Sequence, residues 1–204
     1  MWFDILALLS LLAVITLLRR LVNIFPSLMA SMIRWKENIN LQASLKMRTD
    51  RDLVSLALFI PFCLTAFRYR MYCPSFLNGL DAGSQLWVTI GIFAAYVSLR
   101  GLCRMILHMK PSVASKAANE CSRTYFIILT ILLVATGGIL SLFNTPPTGI
   151  RTAMFWISGT IYAIFLLRKA QIFLSYCNIF ASFLYLCALE ILPTGVLIAS
   201  AVVF

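Results

Sequence analysis

Glu190 is the one acidic side chain set well inside an apolar run, and a carboxylate in that position is the chain's first candidate for chemistry. If the last span begins near Tyr176, a rise of about 1.5 Å per residue puts Glu190 roughly 20 Å along it, past the midplane and toward the outside. An ionised carboxylate in hydrocarbon is costly unless it is protonated, solvated or paired. Pro193, just beyond it, lacks a backbone donor and disrupts the helical ladder, so freed backbone groups there need partners. One reading makes Glu190 a proton- or cation-binding group, or a clamp for a cationic substrate. A second makes it half of a structural ion pair, with Arg68, Arg70 or Arg151 as partners from the outer side. A third ends the helix at Pro193 and leaves Glu190 at the outer interface.

Arg100, Arg104 and His108 follow one another at four-residue steps, so a helix sets them in one stripe, which Tyr96 extends inward. Guanidinium groups in such a row suit the phosphate of an anionic lipid or the acidic surface of a protein partner. They equally suit side chains that reach back to the headgroups and do no more than fix topology. Other chemistries lack their residues. The cysteines (Cys63, Cys73, Cys103, Cys121, Cys177 and Cys187) form no C-x-x-C pair and lie in or beside apolar blocks, as small packing residues do. A single histidine rules out bis-histidine haem ligation and a multi-histidine metal site. There is no H-E-x-x-H, no G-x-S-x-G elbow, no P-loop and no pair of Asp-rich motifs. No residue is therefore assigned to catalysis, to a metal or to a cofactor, and the chain reads as a non-enzyme.

The elements that must position these groups follow from composition. Hydrophobic residues make up 61% of the chain and charged ones 12%, about half the charged share of a soluble domain. The net charge of +10 would suit nucleic acid, but the basic residues cluster at the ends of apolar runs, where membrane insertion places them. The first run ends at Arg19 and Arg20 and has only Asp4 as an early charged side chain. A signal peptide carries its positive charges first, so this order reads as a retained helix with its N-terminus outside.

The pattern predicts an all-α polytopic membrane bundle of six transmembrane helices in one domain, at about 2–18, 53–72, 86–107, 125–143, 151–167 and 174–203. In that threading, fourteen of the seventeen Lys and Arg residues fall on one side, which is then cytoplasmic, leaving only Arg68, Arg70 and Arg151 outside. Arg168 and Lys169 occupy a tight turn between the fifth and sixth spans, and both termini are outside. Residues 24–47 read either as a cytoplasmic amphipathic helix lying on the membrane, with Pro26 in its first turn and Trp35 as anchor, or as an extension of the first span. Gly91 with Ala95, Gly159 with Ala163 and Gly195 with Ala199 are small-xxx-small pairs of the kind that let helices approach closely, and Gly137-Gly138 thins the fourth span.

The run from Phe183 to Pro193, FLYLCALEILP, resembles the C-terminal signature of a family of small uncharacterised multi-span inner-membrane proteins of Bacteroidetes, a domain of unknown function. The resemblance implies a bacterial inner membrane and a motif that includes Tyr185, Cys187, Glu190 and Pro193. It brings no activity with it. The reading that fits these observations is a scaffold or accessory subunit of a membrane or envelope assembly. Its expected partners are the lipid bilayer, other proteins or further copies of itself, and an anionic lipid at the Arg100 stripe, with no nucleic acid. The alternative is a small proton-coupled transporter that uses Glu190.

Overall fold

The computed structural model describes residues 2–33, 45–74, 77, 79–106, 113–176 and 178–203, and among them every extended regular element is a helix. The first, α1, runs unbroken from Trp2 to Ile33. Its leading half is apolar on every side, and Leu8, Leu9, Leu11, Leu12 and Ile15 are all exposed, as a helix bathed in lipid requires. Its second half turns Ile24 and Leu28 into the core.

Pro26 sits inside α1 rather than opening a new helix. The stretch 24–33 is therefore the end of the first helix. Of the remainder of the 24–47 segment, 34–44 lie outside the described residues and 45–47 open the next element. The proline withholds the N–H that the Val22 carbonyl would otherwise receive, and the helix nonetheless runs on to Ile33.

Two shorter helices follow, α2 (Leu45–Ala57) and α3 (Phe59–Arg68). Pro61 has no N–H to give to the Ala57 carbonyl, and the ladder is interrupted beside it. It is not ended: the Leu58 N–H reaches the Val54 carbonyl at 3.0 Å and the Phe62 N–H reaches Leu58 at 3.1 Å. At its far end α3 stops on Arg70, held at φ 49° in the left-handed region that glycine usually supplies, while the Met71 N–H returns to the Ala66 carbonyl at 2.9 Å.

Next come α4 (Ala82–Ile106), α5 (Val113–Leu142) and α6 (Pro147–Leu174). Pro147 stands in the first turn of α6, where its missing donor costs nothing. The link between α5 and α6 is short, and these two form the most extensive helix pair in the chain. The last pass is α7 (Ile179–Leu186), a π-helical turn from Cys187 to Ile191, and α8 (Leu192–Val203).

Among the described residues, five stretches are long and apolar enough to cross a bilayer: Asp4–Met32, Ala82–Cys103, Ala117–Leu142, Pro147–Leu174 and Ile179–Ala201. They mark the chain as a multi-pass membrane protein. The interrupted α2–α3 pair is not among them, which is where the count departs from six. Arg168 and Lys169 also move: both lie within α6, and the turn comes later, at Ser175 and Tyr176. Nor does the last helix stop at Pro193; it continues to Val203.

The main core lies at one end of the bundle, where α1, α5 and α6 finish or begin. Ile24, Leu28, Val54, Ala117, Cys121, Tyr125, Ile172 and Phe173 meet there, with Leu189 of the π turn. The small-xxx-small pairs are absent from this core. Gly91, Ala95, Gly159, Ala163, Gly195 and Ala199 are all exposed, and a Cβ built on any of the three glycines would meet nothing within 4 Å. Gly137 is the opposite case. A Cβ there would lie 2.8 Å from Met154 Cε and 3.0 Å from the Tyr69 ring, whose hydroxyl donates to the Gly137 carbonyl at 3.2 Å.

Candidate functional site

Glu190 is wholly buried, and two cations close on it from two helices. Lys169 Nζ of α6 meets Oε1, and the Arg100 guanidinium of α4 meets both carboxylate oxygens, its Nε lying 3.2 Å from Oε1. Helix direction explains how they meet. Side chains lean toward the N-terminus of their own helix. Lys169 and Arg100 stand near the ends of α6 and α4 and therefore lean back into the bundle. Glu190 stands well along the returning helix and leans toward them.

The rest of the shell is polar or aromatic. Arg100 Nη2 also donates to Ser122 Oγ at 2.9 Å, and Ser122 passes a bond to the Ala118 carbonyl at 3.0 Å. The Phe165 ring lies 5.5 Å from the Arg100 guanidinium carbon and 5.4 Å from Lys169 Nζ, and Phe173 flanks Lys169 at 5.9 Å. These ring faces offer negative charge to cations taken out of water.

The backbone at Glu190 is also specialised. In the π turn the Leu192 N–H bonds to the Cys187 carbonyl, one residue further back than in an α-helix. Pro193, itself buried, has no donor to give, and the Tyr162 hydroxyl donates to the Glu190 carbonyl at 3.2 Å. One turn on, the Tyr96 and Thr194 hydroxyls share a hydrogen bond of 3.1 Å. The Glu190 carboxylate is thus held by α4 and α6, and its peptide carbonyl by α6.

A second set of charges lies at the end of the bundle where α1 gives way to α2. Arg51 of α2 pairs with Glu120 of α5, and both are buried. Asp52 takes Arg123 of α5, and Arg51 Nη2 lies 3.4 Å from the same Asp52 oxygen. Arg20 of α1 holds Asp50 at 2.9 Å. Burial pushes the Arg51 guanidinium down to about 10, with Asp52 opposing the shift and Arg123 and Arg48 adding to it. Arg51 therefore remains charged at neutral pH.

No family model, curated protein or solved structure matches the chain.

The residues singled out from the sequence scatter. Glu190 and Pro193 are at the centre, and Arg100 joins them, turned inward rather than along an outer stripe. The side chain of Arg104 and all of His108 lie outside what is described. Tyr185 stacks near Phe173, with centroids 6.1 Å apart, between α6 and α7. The partners expected from the outer side are elsewhere: Arg68 lines a shallow groove with Tyr69 and Gly137, Arg70 caps α3, and Arg151 lies over the Phe155 ring at 5.5 Å. Arg100 and Lys169 take their place beside Glu190.

Lys169 was missed because two adjacent basic residues after an apolar run resemble a loop. The signal against that was the spacing: Phe165, Lys169, Ile172 and Phe173 share one helical face, which puts Lys169 in line with buried residues. Among the described residues, no three His, Cys, Asp or Glu side chains are grouped to hold a metal ion. As built, the Glu190 arrangement can neutralise charge and tie helices together. A carboxylate held by two cations is a poor proton carrier until one of them leaves.

Proposed function

We propose that the chain is a non-catalytic integral protein of a bacterial inner membrane, a scaffold or accessory subunit of a membrane or envelope assembly. In this reading α2 and α3 contribute to a sixth crossing at about 53–72, the basic end faces the cytoplasm and both termini are outside.

The observation that carries the proposal is the outward placement of the small residues. Three helices present glycine–alanine pairs on exposed surface while the chain's own core does without them. Lipid makes little use of a flat backbone face, whereas a partner helix does, because close approach gains dispersion contact. The test is the oligomeric or complexed state in mild detergent, read by light scattering for wild type and for Gly159→Leu. Loss of the larger species in the variant, with the fold intact, supports assembly through that face. Identical behaviour of a wild-type monomer and the variant would remove the basis for the proposal.

One feature favours the transporter reading instead. Glu190 sits in a π turn followed by a proline, the kind of local irregularity often found where helices work. Proton flux into liposomes, compared between wild type and Glu190→Gln, separates the two readings. A flux that vanishes in a variant whose thermal midpoint matches wild type makes Glu190 a working group, and a large loss of stability with no flux in either protein leaves it structural.

A further inference from the structure

A groove on the outer face of α2 has the chemistry of an anionic lipid site. It is an open depression of about 370 Å³ lined by Arg48, Thr49, Asp52, Leu53 and Leu56. These positions share one helical face, and their character changes along it from charged to apolar. The apolar track runs out of the groove to Ile60: Leu53, Leu56 and Ile60 are 41%, 76% and 37% exposed.

The charges around the groove are unequal. Asp50, Asp52 and Glu120 are engaged by Arg20, Arg51 and Arg123. Lys46 and Arg48 are exposed, and no described carboxylate is paired with either. Arg48 also repels the buried Arg51. An anion at Arg48 would relieve that repulsion, and the lone acid in the lining, Asp52, is already countered on two sides.

We infer that this groove binds one anionic phospholipid, its phosphate at Arg48 and an acyl chain along Leu53, Leu56 and Ile60. A soluble anion would use the arginine but not the apolar track, and a zwitterionic lipid would use the track but gain less from the charge. The site is independent of whether the chain serves as a scaffold. It also differs from the Arg100 stripe, whose guanidinium is turned toward Glu190.

The experiment is native mass spectrometry of the full chain from detergent micelles, titrated with phosphatidylglycerol or phosphatidylcholine. Wild type should retain phosphatidylglycerol preferentially. Arg48→Gln should cut that retention about fivefold, the worth of one basic side chain near an anionic surface. Arg48→Lys should keep most of it, and Leu56→Gln should lose it while the Arg48 charge remains. Thermal midpoints of the variants confirm folding, because both side chains are exposed. Equal retention of the two lipids by wild type, or undiminished phosphatidylglycerol on Arg48→Gln, overturns the site. Complete displacement of the lipid by inorganic phosphate, or a Leu56→Gln variant that binds like wild type, overturns the lipid as its occupant.

Discussion

The two charge clusters solve the same problem in opposite ways. Around Arg51, each carboxylate has its own guanidinium: Glu120 with Arg51, Asp52 with Arg123, Asp50 with Arg20. Around Glu190, one carboxylate serves two cations, Lys169 and Arg100, with aromatic faces and Ser122 supplying the rest. The first cluster grades outward to exposed pairs, while the second has the carboxylate and the lysine fully enclosed. A balanced lattice can lose one pair and remain neutral. A shared acid cannot be lost without leaving two cations facing each other in an apolar setting.

The sharpest way to break this comparison is Glu190→Gln. Removing one partner of a buried ion pair costs about 3–5 kcal/mol, and here two cations are left, so the expected effect is at the top of that range. Thermal unfolding in detergent checks it, together with alkylation of Cys121, which is fully buried beside the cluster and should become reactive. A midpoint unchanged from wild type would show that Glu190 does not tie the helices together.

Next is the response to replacing a whole pair. Arg51→Met with Glu120→Leu should come within about 1 kcal/mol of wild type, because a buried pair exchanged for packed apolar groups is often neutral or stabilising. Lys169→Met with Glu190→Leu should not recover, since Arg100 remains without its carboxylate. Equal recovery in both double variants would erase the distinction between the clusters.

A control away from both clusters sets the scale for ordinary packing. Gly137→Ala drives a methyl against Met154 and Tyr69 and should cost about 1–3 kcal/mol, as overpacking does. Gly159→Ala, with open space at its Cβ, should cost no monomer stability. Thermal midpoints of the two variants make the comparison.

The smallest effect belongs to the outer edge of the lattice. Asp52 and Arg123 are each 36% exposed, and Arg123→Gln should change stability by about 0–1 kcal/mol. That change should shrink in high salt, whereas the Glu190→Gln effect should persist, because screening acts on solvated charges and little on enclosed ones. Melting both variants at low and high salt tests the difference.

How far the sequence could be read differs between the fold and the site. The apolar runs announced the helices, since twenty or so apolar residues have few alternatives in a bilayer. Helix ends were harder. Lys169 looked like part of a turn, and residues 24–33 read equally as a new surface helix or as an extension of the first span, because charge and proline are loop signals until neighbours accommodate them; the structure has the extension. The small-xxx-small pairs were legible as contact surfaces, but not whether the contact lay within the chain or outside it. Glu190 and Pro193 stood out because a carboxylate in an apolar run is energetically conspicuous. The Arg51–Glu120 pair did not, since its members are far apart in the sequence and each sits among other polar residues.

The sequence by itself determined that this chain is a bundle of apolar helices with its basic residues gathered near helix ends and one acid among the apolar residues. Those properties follow from side-chain transfer energies, which depend only on residue type and order. Only the tertiary structure decided that Arg100 and Lys169, not the outer arginines, meet Glu190. It also decided that, among the described residues, no carboxylate pairs with Arg48 and that the glycine faces point outward. Pairing depends on where helix ends come together and which way side chains lean. Those relations are set by packing, and no stretch of sequence states them locally.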